Sequence, residues 1–149
     1  MTPADDLGRL VVSCDGAARG NPGPAGIGVE LRTPDGTVVD RIARGIGVAT
    51  NNVAEYTAAI EGLRRAAELG AREVVLRSDS RLLVQQLLGR FKVKNPVLQR
   101  LHREAESVLT GFDRARIEHV ARERNREADR LANQGVDAWL AERGGDVPV

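Results

Sequence analysis

Four carboxylates stand where their surroundings call for something else, and side chains of this type, once gathered, hold metal ions and act on phosphate. Glu55 opens a helical stripe that continues through Ala58, Ala59, Gly62, Leu63 and Ala66, the face that should press on a sheet. Glu61, Arg64, Arg65 and Glu68 lie off that stripe, so Glu55 is not simply part of a solvated side. A capping box with Asn52 is the competing explanation and, for Glu55 taken alone, the stronger one. Asp129 repeats the anomaly, because Ala132, Val136 and Leu140 follow it along one row. Its alternative is an ion pair with Arg126 or Arg130, although such close neighbours on a helix project in other directions.

Asp15 shares a strand face with Val11 and Ser13 by simple alternation, and Asp is a poor strand former. A turn starting before Gly16 is the plain alternative. Asp79 follows the strand-like VVLRS and precedes a helix, where crevices at the carboxyl ends of strands commonly hold ligands. Helix capping by Asp79 or Ser80 would also suit that place. Two strands and two helices could bring the four groups to one edge or face of a sheet. Clustered carboxylates raise one another's pKa values, whereas hard divalent cations such as Mg²⁺ supply opposing charge and favour oxygen ligands. Zinc is disfavoured, since one Cys and two His show no ligand spacing.

The elements that must position these groups can be read in order. RLVVSCDG, GIGVELRT and TVVDRIARGIGV read as strands punctuated by Gly and Pro, which predicts an antiparallel meander. Helical spacing runs from Asn52 to about Leu69 and stops at Gly70. EVVLRS is a short strand, SRLLVQQLLG a helix ending at Gly89, and Pro96 to Leu109 an amphipathic helix closed before Gly111. ARIEHVA reads as the last strand, and helical spacing returns from Asn125 to about Leu140, with ERGGDVPV as a frayed tail. This order predicts an α/β fold in which a mixed sheet is covered by helices.

A chain of 149 residues suits one domain, here taken as 1–149 with its core at about 9–140, and no repeat or linker divides it. With 42% hydrophobic but only 3% aromatic residues, the core must be mostly Val, Leu, Ile and Ala. No run approaches the roughly 20 apolar residues that span a bilayer, and MTPADD lacks the features of a signal peptide, so the expected location is cytoplasmic. Cys14, the single cysteine, should pack as a small hydrophobe within LVVSC. The net charge of +1 does not announce a nucleic-acid binder, so that reading must rest on local features.

In the order DGAARGNPGPAGIG, TNNVAEYTAAIEGL, SDSRLLVQQL and RNREADRLAN, the chain resembles the four signature blocks of type 1 ribonuclease H. The likeness covers about Leu10 to Asp137, nearly the whole chain. It implies a mixed five-stranded sheet, its first three strands antiparallel, with helices on both faces. It also implies that Asp15, Glu55, Asp79 and Asp129 are metal-binding catalytic residues holding two Mg²⁺ ions, with Mn²⁺ also serving, in an in-line displacement at phosphate. The substrate would be the RNA strand of an RNA/DNA hybrid, cut to 5′-phosphate and 3′-hydroxyl ends. By the same matching, Asn21, Thr50, Asn51, Asn52 and Gln85 are substrate-contact positions, suited to sugar 2′-hydroxyls and to little sequence preference. Turn and cap roles would fit Asn21 and Thr50 as well. The resemblance brings with it no membrane and no obligatory protein partner, and the chain is expected to act as a monomer.

Two departures from the family stand out. The loop before the last helix, ARERNRE, lacks the His that many members carry; Arg122 or Arg124 is the candidate replacement for proton transfer or product release, although arginine cannot serve as a general base at neutral pH. The basic protrusion of some bacterial members is reduced to GRFKVKNP, where Arg90, Lys92 and Lys94 could form a small phosphate patch. His119 is expected to be structural and His102 a helix-surface residue. Rival readings are another nuclease of the same broad fold, such as a junction resolvase, and a binding module without catalysis. The specific blocks favour hybrid cleavage over the first, and four intact carboxylates oppose the second.

Overall fold

A computed structural model describes residues 7–143. Of the regions read above, MTPADD and most of ERGGDVPV lie outside the described residues. The elements follow in the order β1 (Arg9–Ala18), β2 (Gly23–Arg32), β3 (Val38–Ala49), α1 (Asn51–Glu68), β4 (Glu73–Ser78), α2 (Arg81–Leu87), α3 (Pro96–Leu109), β5 (Arg114–His119) and α4 (Arg126–Glu142). A short 3-10 turn, Arg122–Arg124, links β5 to α4.

The five strands form one sheet in the order β3-β2-β1-β4-β5. β1, β2 and β3 pair antiparallel as the hairpin-like spacing predicted, while β4 joins β1 in parallel and β5 joins β4 in parallel. Parallel pairing needs a crossover, and α1 supplies the one between β3 and β4. It packs on β1 and β2 from one side, with α3 against it, and α4 covers β2 and β3.

β2 starts at Gly23, earlier than the sequence suggested, because the Gly- and Pro-rich stretch that reads as a turn pairs with the end of β1 (Ala18 with Ala25). The small residues have a reason there. A Cβ at Gly28 would lie 2.0 Å from the Ala128 carbonyl oxygen and 2.4 Å from the Ala132 nitrogen. The glycine therefore lets the backbone of α4 rest directly on β2. The core is aliphatic as composition required, with Leu10, Val12, Ile27, Val29, Leu31 and Leu63 all buried and Tyr56 the largest side chain within it. Each such burial stabilises by about 1.5–3 kcal/mol. Cys14 lies in this core, and burial pushes its thiol well above the usual range, which fits an inert packing role.

Ion pairs tie the first turn of α4 to the sheet. Buried Glu30 on β2 accepts from Arg32 at 2.6 Å and from Arg41 of β3 at 3.2 Å, and Arg41 also reaches Glu127 at 3.5 Å. No helix among the described residues is long and apolar enough to cross a membrane.

Candidate active site

Each of the four carboxylates had a local explanation, and the structure gives none of them the local role in turn, cap or Arg130 pair. Asp15 lies inside β1, paired opposite Gly28, and starts no turn. Thr50, not Asn52, caps α1, its hydroxyl accepting from the Val53 N–H at 3.2 Å. Glu55 is thereby left free of a capping box, and its carboxylate accepts instead from the Gly16 backbone N–H. Ser80 caps α2, accepting from the Leu83 N–H at 3.2 Å, so Asp79 does not. Arg130 pairs with Glu127 at 2.6 Å and not with Asp129.

Close packing brings the pieces together. A Cβ on Gly16 would lie 2.3 Å from the Ala54 carbonyl carbon and 2.4 Å from the Glu55 nitrogen. Only glycine lets the start of α1 approach β1 so closely, which presents the Glu55 carboxylate beside Asp15. β4 runs parallel to β1 and ends next to it, delivering Asp79. α4, resting on Gly28, brings Asp129 from the opposite side of the sheet.

The resulting groove has a volume of about 450 Å³ and is lined by the four carboxylates together with Asn51, Arg122, Asn133 and the backbone of Gly16 to Ala18. Asp15 is 6% exposed and Glu55 5%. Burial, followed by the neighbouring charges of Glu55 and Asp79, pushes the Asp15 carboxyl up to about 10. Burial likewise raises Glu55 to about 7, against the pull of the Gly16 N–H and of Asp15. Asp79 is raised by burial and by the Asp129 charge, while Arg122 and, more weakly, His119 pull it down. Besides this pull on Asp79, the Gly16 N–H and the bond from Asp15 ease the charge on Glu55.

One oxygen each from Asp15, Glu55 and Asp79 lie within 4.8 Å of one another, close enough to hold a metal ion. The donor set fits a hard divalent cation: every ligand is a carboxylate oxygen, and even with Arg122 nearby the buried Asp15 and Glu55 remain raised.

The groove gathers Asn51 and Arg122 from among the other candidates, while Asn21, Thr50, Asn52, Gln85 and Arg124 lie outside its lining. Asn21 is nevertheless connected to it, since its side-chain oxygen accepts from the Asn51 N–H at 3.0 Å. Asn133, which the sequence reading did not single out, lines the groove and donates to the Asp129 carbonyl at 3.1 Å. Its position four residues after Asp129, on the same helix face, was the available signal. Arg19 extends from the end of β1 to Asp137 at 2.7 Å and to Asn133 at 3.3 Å, tying β1 to α4. His102 departs from expectation: it is tucked against the protein, with one ring nitrogen 3.0 Å from the Gln86 carbonyl and the other 2.9 Å from Glu106. His119 is exposed at the end of β5.

The family profile described as reverse transcriptase-like matches residues 13–135. A bifunctional protein of Mycobacterium tuberculosis is 48% identical over 140 residues, covering 93% of this chain, which spans only 38% of that relative's length. Ribonuclease HI of Halobacterium salinarum is 46% identical over 133 residues, covering 89% of this chain and 67% of the relative. The crystal structure of the Halobacterium salinarum enzyme matches with a TM-score of 0.86, over 88% of this chain and 99% of that one. A ribonuclease H1 crystallised in complex with an RNA/DNA hybrid is 38% identical and matches with a TM-score of 0.84, over 88% of this chain and 99% of its own. A family match over most of the length, joined to such identity with a relative covered by two thirds, places this chain in the type 1 ribonuclease H family.

Proposed function

We propose that the chain is an endoribonuclease that hydrolyses the RNA strand of RNA/DNA hybrids, leaving 5′-phosphate and 3′-hydroxyl ends with little sequence preference. The observation that carries this reading is the cluster of buried Asp15 and Glu55 with half-buried Asp79, joined by Asp129 in the lining of one groove. In this reading the four carboxylates hold two divalent cations, Mg²⁺ or Mn²⁺. When bound, these would supply charge at both the attacking and the leaving oxygens of an in-line displacement at phosphorus.

The chain's own residues do the rest. Glu55, fixed by the Gly16 N–H, presents a rigid oxygen beside Asp15 without rotamer search on binding. Asn51 and Asn133 offer neutral donors and acceptors within the groove, suited to sugar hydroxyls and phosphate oxygens. Asn21 holds the Asn51 backbone in place, and Thr50 caps the helix on which Asn51 sits; Asn52 and Gln85 are assigned as outer substrate contacts. Arg122 carries a fixed positive charge at the mouth, beside Asp79, where it steadies the anionic product phosphate as it leaves, with Arg124 as a second cation in the same turn. We assign residues 1–149 to one ribonuclease H domain acting as a monomer in the cytoplasm. The hybrid-bound relative at 38% identity supports the substrate class.

The deciding experiment is parallel incubation of labelled RNA/DNA hybrid, duplex RNA and duplex DNA with purified protein in Mg²⁺ and in EDTA. Mg²⁺-dependent cutting confined to the RNA of the hybrid is expected. Activity that persists in EDTA, or a preference for duplex DNA, would overturn the reading.

A further inference from the structure

Asn125 is 2% exposed and occupies the N-cap position of α4, yet its side chain makes no cap bond. An asparagine there ordinarily turns its oxygen onto the first free N–H groups of the helix. Here the side-chain amide reaches instead across to β1 and donates to the Cys14 carbonyl at 2.9 Å. The side-chain oxygen, Oδ1, is buried and meets no donor from the described residues. Two local preferences are given up together: the cap goes unmade, and a buried acceptor is left unpaired, which folded proteins rarely tolerate. What the side chain keeps is one bond to β1.

That bond lies between the two halves of the groove. Cys14 immediately precedes Asp15, while the Asn125 backbone carbonyl accepts from the Asp129 N–H at 3.1 Å. Two hydrogen bonds through a single residue thus connect the strand carrying Asp15 with the helix turn carrying Asp129. A further tether of this turn, from Arg41 to Glu127, lies among half-exposed side chains at 3.5 Å and is looser than the buried Asn125 bond.

We infer that Asn125 is a positioning residue whose bond to the Cys14 carbonyl sets Asp129 against Asp15 and so fixes the spacing of the carboxylates for divalent cations. The inference rests on the cation-binding reading given above, and it goes beyond that reading by naming the residue that determines the spacing.

Calorimetric titration of Mn²⁺ and of Mg²⁺ into the parent protein, Asn125→Ala and Val136→Ala, below all three melting temperatures, tests it. Val136→Ala loosens the packing of α4 on the sheet without touching the Asn125 bond. Asn125→Ala should weaken cation binding by about tenfold or more, the scale seen when a group supporting a metal ligand is removed. It should lower kcat while KM for hybrid stays within about twofold, and Val136→Ala should melt earlier yet bind cations as the parent does. Parental affinity in Asn125→Ala, or equal weakening in Val136→Ala, would overturn the inference alone. Absence of cation binding by the parent would overturn the underlying reading with it. If Asn125→Ala does not fold, Asn125→Ser, which keeps a shorter donor, takes its place with the same criteria.

Discussion

The Gly16 backbone N–H donates to the Glu55 carboxylate, so the residue that follows Asp15 on β1 holds the carboxylate that opens the buried face of α1. That donor and the Arg122 charge do not offset the burial and crowding of the carboxyls, which still raise Asp15 and Glu55, so the groove offers a divalent cation a set of oxygen ligands.

Removing a ligand's charge at constant size should abolish cleavage without unfolding the protein. Glu55→Gln and Asp79→Asn are expected to lose activity by at least on the order of a hundredfold. Their melting temperatures should equal or exceed the parent's in EDTA, because each removes a carboxylate that crowds its neighbours. Parental turnover by either variant would exclude that residue from the chemistry.

Stability without metal should fall as pH rises. Asp15 and Glu55 ordinarily ionise at 3.8 and 4.5, but in the fold they do so at about 10 and about 7. The unfolded chain thus releases these protons first, and the stability they contribute is complete below about pH 4 and lost as pH climbs through the folded values. Asp35, Asp40 and Glu127 shift the other way, but all three are already charged above about pH 5 and do not oppose the trend there. Thermal melts in EDTA should show Tm declining from about pH 5 to pH 9, with Mg²⁺ restoring more at the upper end. A flat profile would mean that the carboxyls are not held protonated by the fold.

The two arginines of the 3-10 turn should behave differently. Arg122 lines the groove and its charge reaches Asp79, whereas Arg124 lies outside the lining. Arg122→Ala is expected to slow steady-state turnover about tenfold, equivalent to about 1.4 kcal/mol of barrier, while Arg124→Ala stays within about twofold. Identical effects would show the turn to act only as a patch of positive charge.

Gly28→Ala should be among the most damaging small substitutions. Its methyl group would overlap the α4 backbone, which cannot yield without carrying Asp129 away. A loss of about 3 kcal/mol or more is expected, at the upper end of overpacking effects. Chemical denaturation would measure it, and near-parental stability would mean that α4 rides higher on β2 than described.

Much of this was legible in the residues themselves. The stripe interrupted by Glu55 and the row interrupted by Asp129 identified inward-facing carboxylates, because periodicity reports which side of a helix is buried. Element types followed for the same reason. What local pattern could not carry was pairing: nothing in GNPGPAG says that the turn ends at Pro22 and that Gly23–Gly26 already belong to β2, where Gly26 is kept small by the helix that lies on it. Asn125 was hidden in a related way. The sequence shows it only as the start of a helical stretch, and its use lies in the long-range bond to Cys14. The location of His102 beneath the turn after α2 likewise depends on Gln86, sixteen positions earlier.

The packing of the helix Arg126–Glu142 ties the sheet to the site. This helix, α4, both covers the glycine face of β2 and brings Asp129. Without α4 in place, Asp15, Glu55 and Asp79 would lie beside an uncovered sheet face and lack Asp129, so closing the glycine face and completing the carboxylate set are one packing event.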